Sequence, residues 1–203
     1  SLKTDIKSET MMDKLLKLGS VYYEKLNNLD ESAAVFNAAL KLNPKEPKAL
    51  DYLEKIFEHK EEWSALAGVI KQKLEFSEDI ENKFILRLKL GKIFDEKLHI
   101  GHIAIHNYEK ALEIHPEDIN LMRSAQDIYE RWAQFVKLVA LYNREIEILK
   151  NSQIESGKQT TSERIVQLYR LLGHVWNKRL FDNQKAISSY KAILEIVPGD
   201  NDS

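Results

Sequence analysis

The stretch Tyr108–Pro116, YEKALEIHP, decides how this chain folds, because the same phrase stands in two other places. Phe36–Pro44 reads FNAALKLNP, and Tyr190–Pro198 reads YKAILEIVP. Upstream of each phrase the match extends through LLKLGSVYYEKL, RLKLGKIFDEKL and YRLLGHVWNKRL, so each phrase closes a longer unit that opens on Leu-Gly. Gly19, Gly91 and Gly173 each precede their proline, Pro44, Pro116 or Pro198, by 25 residues. A spacing kept in three copies marks an internal repeat.

Inside each copy an aromatic follows three residues after the glycine (Tyr22, Phe94, Trp176) and a small residue follows at thirteen (Ser32, Ala104, Ala186). A second aromatic comes at seventeen (Phe36, Tyr108, Tyr190), then a leucine (Leu40, Leu112, Leu194). These separations suit a helical hairpin. The leucine and first aromatic share a face of the first helix, glycine permits close approach, and the small residue lets the second helix pack there. The proline is expected to begin the next element.

The segment after each proline repeats at a separation of 72: Leu53 with Ala125, Ile56 with Ile128, Phe57 with Tyr129, Trp63 with Phe135, Leu66 with Leu138, and Leu74 with Ile146. The unit is therefore two hairpins. Five are expected, at about 12–43, 46–76, 79–115, 118–151 and 160–197. They give ten helices in a single repeat domain over 12–198, preceded by a polar extension over 1–11 and followed by a tail over 199–203. Between the later copies the separation grows to 82, and the added ten residues fall in KNSQIESGKQ, around Gly157, as a loop insertion or a helix extension.

Composition agrees with an all-α fold. Apolar residues make up 43% of 203, enough for a sizeable core, and seven Gly and four Pro leave few places to break helices. The formal net charge of -2 gives no general attraction to nucleic acid or anionic membrane. No run approaches the roughly 20 apolar residues that span a bilayer. The absence of cysteine excludes disulfides, thiolate metal sites and cysteine nucleophiles, and leaves the compartment undecided, with the cytoplasm favoured.

These residues resemble the tetratricopeptide repeat family, whose helical hairpins carry Leu-Gly, an aromatic, Ala, an aromatic, Ala and Pro in that order. Here the Gly-to-small spacing is one residue longer, which implies a longer turn, and the family's early Trp position holds Leu15, Arg87 and Tyr169. The hairpins at 44–76 and 116–151 match loosely and faintly resemble the half-a-tetratricopeptide repeats of RNA-processing proteins. The resemblance implies an α-solenoid, a right-handed superhelix of about five antiparallel hairpins, that serves as a protein-interaction scaffold.

The same resemblance implies a partner groove lined by the first helices. The matching positions are Leu16, Ser20 and Tyr23; Asp51 and Lys55; Leu88, Lys92 and Asp95; Arg123 and Asp127; and Arg170, His174 and Asn177. The bland alternative is solvated charge on an exposed face. The family's carboxylate clamp is not supported, because Leu16 and Leu88 stand at its first Lys position and Ser20 and Lys92 at its first Asn position. Among the tryptophans, Trp63 and Trp176 align with aromatics in other copies and belong to the core. Trp132 aligns with Lys60 and is the candidate for a partner contact.

His99, His102 and His106 lie along one helical stripe, as a metal site could use. His102 and His106 flank Ala104 by two residues and so point away from the packed face, and the stripe lacks an obvious carboxylate partner, so exposed histidines are expected and no metal or other cofactor. Nothing resembles a phosphate loop, a nucleophile elbow or HExxH, so no catalysis is expected. The last hairpin carries Ala186, Tyr190, Ile193 and Leu194, an apolar set with no following hairpin. A fragment of a longer repeat protein, or self-association through that face, is the expectation. The partner is expected to be a protein or peptide of unknown identity. A nucleic-acid-associated scaffold and a structural oligomerisation module are the alternatives.

Overall fold

A computed structural model describes residues 2–156 and 159–197. Among these residues the chain is all-α, in ten helices. Its helices group into two compact units, residues 1–114 and 115–203. The first holds α1 (Leu2–Glu24), α2 (Leu29–Leu42), α3 (Pro47–His59), α4 (Trp63–Phe76), α5 (Ile80–Lys92) and α6 (Gly101–Ile114). The second holds α7 (Ile119–Arg131), α8 (Phe135–Ser156), α9 (Gln159–Lys178) and α10 (Asn183–Ile196).

Caps set where several helices begin. Asn28, Asp79, Asp118 and Asp182 each accept a hydrogen bond from the backbone N–H three residues on, satisfying a donor that the first turn leaves orphaned. The repeat prolines do not start the following helices. α3 begins at Pro47, with Glu46 as its cap, and α7 at Ile119 after Asp118. Pro44 and Pro116 lie in the links, and Pro198 lies outside the described residues. A carboxylate cap orders the first turn more directly than a proline three residues away.

The extra residue between glycine and small residue widens the end of the first helix. Leu26, Leu98 and Leu180 donate their N–H to the carbonyl five residues back, at 3.2, 2.9 and 3.0 Å, and α5 runs on into a π turn over Ile93–Lys97. The next residue but one closes the turn: Asn28, Ile100 and Asp182 donate to Tyr22, Phe94 and Trp176. Between them sit Asn27, His99 and Phe181, with φ of 47, 53 and 57°. The turn thus requires a left-handed residue in all three copies, and glycine supplies none of them.

The repeat glycines act by close approach. A Cβ on Gly19 would lie 2.7–2.9 Å from the Phe36 ring, and on Gly91 it would lie 2.6 Å from Tyr108. The residue over each glycine is therefore the second aromatic, while the small residue serves differently: Ser32 Oγ donates to the Gly19 carbonyl at 2.9 Å. Phe36, Ala39, Ala49, Leu53 and Ile56 are fully buried at the centre of α1–α4, and Leu66, Ile70, Leu86, Leu90 and Ala104 continue the core of the first unit. Met122, Leu138, Leu168, Leu172 and Ile193 form that of the second.

The inserted residues lengthen a helix. α8 has 22 residues where α4 has 14, and Gly157 lies outside the described residues. On α10 the apolar set divides: Ala186 and Ile193 are buried and Tyr190 half-buried, while Leu194 is 45% exposed. No helix among the described residues is long and apolar enough to cross a membrane.

Candidate functional site

The first helices of unit 1 present an aromatic-floored cavity. Leu16, Lys17 and Ser20 of α1, Phe36 of α2, and Lys48 and Tyr52 of α3 line about 380 Å³. Its floor is a stack: Phe36 and Tyr52 lie with ring centroids 4.7 Å apart and planes 10° apart, and Tyr23 meets Tyr52 edge-on at 5.3 Å. Tyr52 is held from its far end by a hydrogen bond to the Glu24 carboxylate. That bond, with burial and the negative charge of Glu24, raises the Tyr52 phenol above its ordinary value. Lys55 Nζ lies 5.6 Å from the Tyr52 centroid. Among the described residues no ion pair reaches Lys17, Lys48 or Lys55. The cavity therefore combines a rigid aromatic wall with cations whose charge is available to a ligand.

The expected groove residues fall into different environments. Lys55 and Lys92 are exposed, and Tyr23 belongs to the aromatic floor. Asp51 is exposed but engaged, its carboxylate 2.7 Å from Lys73 Nζ. Asp95 is 4% exposed in the π turn, placing its side chain away from solvent. In unit 2, Asp127, Arg170 and His174 are exposed, Asn177 is half-buried, and Trp132 is half-buried as the C-cap of α7. Trp63 and Trp176 are half-buried beneath cations, Lys97 at 4.7 Å and Lys185 at 4.3 Å. His99, His102 and His106 are exposed, and no group of three His, Asp or Glu suited to a metal ion occurs among the described residues.

Arg123 is a brace. It donates from Nε to Glu145 Oε1 at 3.1 Å, and Glu145 is fully buried. Arg164 reaches the same carboxylate from α9 through two parallel bonds, 2.9 and 3.0 Å, and Gln126 adds a third partner at 2.6 Å. Burial pushes the Glu145 carboxyl up, but the bonds from Arg164 and Gln126, the Arg164 charge and the Arg123 bond outweigh it and hold the group below the usual glutamate value. This network ties α7, α8 and α9 together. Unit 1 has a matching device, in which Glu54 of α3 accepts from Lys73 of α4 and from Lys89 of α5.

Lys17, Lys48 and Tyr52 line the cavity but are not among the groove positions expected from the sequence. A signal was nevertheless present, because the residues 72 further on from Lys48 and Tyr52 are Asn120 and Ser124, so the cation and the aromatic belong to one copy alone.

Residues 15–46 match the family profile described as Tetratricopeptide repeat. Superkiller protein 3 of Schizosaccharomyces pombe is 25% identical over 128 residues, 61% of this chain, and the chain spans 9% of that relative's length. Among solved structures, YrrB, described as a TPR protein with an unusual peptide-binding site, matches at 14% identity and a TM-score of 0.48, over 98% of this chain and 94% of its own. The C-terminal part of a TPR repeat-containing protein from Cytophaga hutchinsonii matches at 13% identity and a TM-score of 0.49, over 94% and 71%.

Proposed function

We propose that this chain, built of tetratricopeptide-like helical hairpins, is a non-catalytic scaffold that holds an acidic peptide segment of a partner protein in the first-helix cavity of unit 1. Repeat hairpins of this kind generally serve protein–protein interaction. The observation that carries the finer reading is the cavity itself, lined by the stacked Phe36 and Tyr52 and by Lys17 and Lys48, which no ion pair reaches among the described residues. Its volume lies in the range of roughly 300–1,000 Å³ usual for ligand clefts, and a rigid aromatic wall costs little side-chain entropy on binding. An apolar anchor of the peptide would lie on the rings. Its carboxylates would meet Lys17, Lys48 and Lys55.

Selection from a displayed random-peptide library tests the reading. The selected peptides should be enriched in Asp and Glu beside an apolar residue, and should lose about tenfold or more in affinity on Lys17→Glu with Lys48→Glu at unchanged helicity. Selected peptides without acidic enrichment, or with equal affinity for parent and variant, would overturn it. Arg123 is left unchanged in this test because its charge is committed to Glu145.

A further inference from the structure

The third hairpin departs from its own repeat at three positions, and the departures meet in one cleft. Lys83, Arg87 and Lys110 stand where the first hairpin has Met11, Leu15 and Ala38, and where the fifth has Ile165, Tyr169 and Ala192. Apolar or small side chains in two copies are thus cations in the third. Together with Lys71 of α4 they line a cavity of about 500 Å³ bounded by α4, α5 and α6. Leu74 and Ile114, both half-buried, supply an aliphatic wall, and Glu75 and Glu113 complete the lining.

The charges are not balanced from within. Lys110 Nζ holds both oxygens of Glu113 at 2.8 Å. Among the described residues no ion pair reaches Lys71, Lys83 or Arg87. Lys71 Nζ lies over the Phe94 ring, 4.8 Å from its centroid. Arg87 is positioned by a neutral acceptor: it donates from Nη1 to Asn107 Oδ1 at 3.1 Å. Asn107 is only 2% exposed and is itself oriented by donating from Nδ2 to the Ile103 carbonyl at 2.9 Å. Its counterparts in the other copies are Val35 and Ser189. The buried amide therefore fixes the guanidinium without neutralising it, leaving further N–H donors in the fork geometry that suits carboxylates.

Stability does not account for this arrangement. Replacing partly buried charge with apolar residues of similar size is commonly neutral or stabilising, and two copies of the repeat carry such residues. A local departure from the repeat's own pattern, in which Lys110 pairs with Glu113 but no ion pair reaches Lys83 or Arg87 among the described residues, marks a place where function sets the residues.

We propose that this cleft binds an acidic segment of a polypeptide partner, its carboxylates on Arg87, Lys83 and Lys71 and an aliphatic side chain against Leu74 and Ile114. The aliphatic wall favours a peptide over a free phosphate, which would leave that wall unused. Glu75 and Glu113 at the same opening oppose a uniformly anionic polymer such as RNA. The site lies on α4, α5 and α6, shares no lining residue with the first-helix cavity, and does not depend on it.

The test uses a fluorescein-labelled Asp-Glu-Leu-Asp-Glu-Leu peptide, with a Lys-substituted peptide, inorganic phosphate and a short oligouridine as comparisons. The apolar variant combines Lys83→Met, Arg87→Leu, Asn107→Val and Lys110→Ala, each taken from the first hairpin, so that no buried amide is left unpaired. The acidic peptide should bind the parent, weaken as salt is added, and shift the backbone amide resonances around Lys83–Arg87 and Lys110–Ile114. Its affinity should fall about tenfold or more on the apolar variant. A second variant, Lys83→Gln with Lys71→Gln, keeps Arg87 and Asn107 intact and should show a smaller loss in the same direction even if the first variant folds poorly. Equal binding to parent and variants, resonance shifts confined to Lys48 and Tyr52, binding of phosphate or oligouridine alone, or no binding of the acidic peptide would each overturn the proposal.

Discussion

Lys73 and Glu145 stand at the same position of the repeat, 72 residues apart, and make the same contact with opposite charge. Lys73 Nζ meets Asp51 at 2.7 Å, and Glu145 Oε1 meets Arg123, the counterpart of Asp51, at 3.1 Å. Glu54 and Gln126 are paired in the same way, and each touches the inverted residue of its own hairpin. The two hairpins therefore carry mutually incompatible charges at equivalent sites. A helix docked on the wrong partner would oppose Lys to Arg, or Glu to Asp. Repeated hairpins of one architecture invite such mispairing, and like charges across a contact penalise it.

Glu145→Gln should cost about 3 kcal/mol or more, because it leaves Arg123 and Arg164 without their charge partner around a fully buried position. Lys73→Gln, at a site 22% exposed on the side chain, should cost less. Urea unfolding followed by circular dichroism measures both, and comparable losses would show that burial does not set the value of these networks.

The pH dependence follows from Glu54 and Glu145. In Glu54, burial raises the carboxyl, but the bonds and charges of Lys73 and Lys89 lower it further, and Glu145 is lowered as described above. A folded-state value below the unfolded one means that the unfolded chain takes up protons first on acidification. The contribution is present above the unfolded glutamate value of about 4.3 and is lost as pH falls through the lower folded-state values. Stability measured from pH 7 downward should drop there, and Glu145→Gln should flatten the drop.

At the alkaline end Tyr142 is the marker. Burial, with the negative charge of Glu130, pushes its phenol up to about 12. The unfolded chain ionises this tyrosine first, near pH 10, so its contribution is present below that pH and is lost as pH rises toward about 12. Ultraviolet titration should show a late-ionising component near the alkaline end that Tyr142→Phe removes.

Two glycine substitutions should have opposite signs. Gly91→Ala places a Cβ 2.6 Å from the buried Tyr108 ring and should cost about 1–3 kcal/mol by overpacking. Gly68→Ala meets nothing within 4 Å inside α4 and should stabilise by about 0.5–1 kcal/mol. Thermal unfolding of the two variants side by side checks both.

Phe181 is 81% exposed at φ 57°, so it bears left-handed strain without the return of burial. Phe181→Asn should stabilise by about 1 kcal/mol, as asparagine tolerates that conformation. An unchanged urea midpoint would mean that the turn absorbs the strain elsewhere.

The sequence by itself determined the all-α class, the hairpin count and the longer turn, because these rest on spacings along the chain, inside one hairpin and from copy to copy. The Leu-Gly pair, the aromatic at seventeen and the small residue at thirteen encode one local packing solution, and writing it three times makes it legible. What only the tertiary structure decided is which charges are available. Asp51, Asp95, Lys55 and Arg123 look alike as groove positions, yet one is held by Lys73, one is buried, one is exposed and one braces Glu145. Their partners sit on other helices, 22 residues away for both Asp51 and Arg123. Helical periodicity records which face a residue occupies but not the sign of the charge that meets it across a contact, and that pairing is settled only when the helices dock.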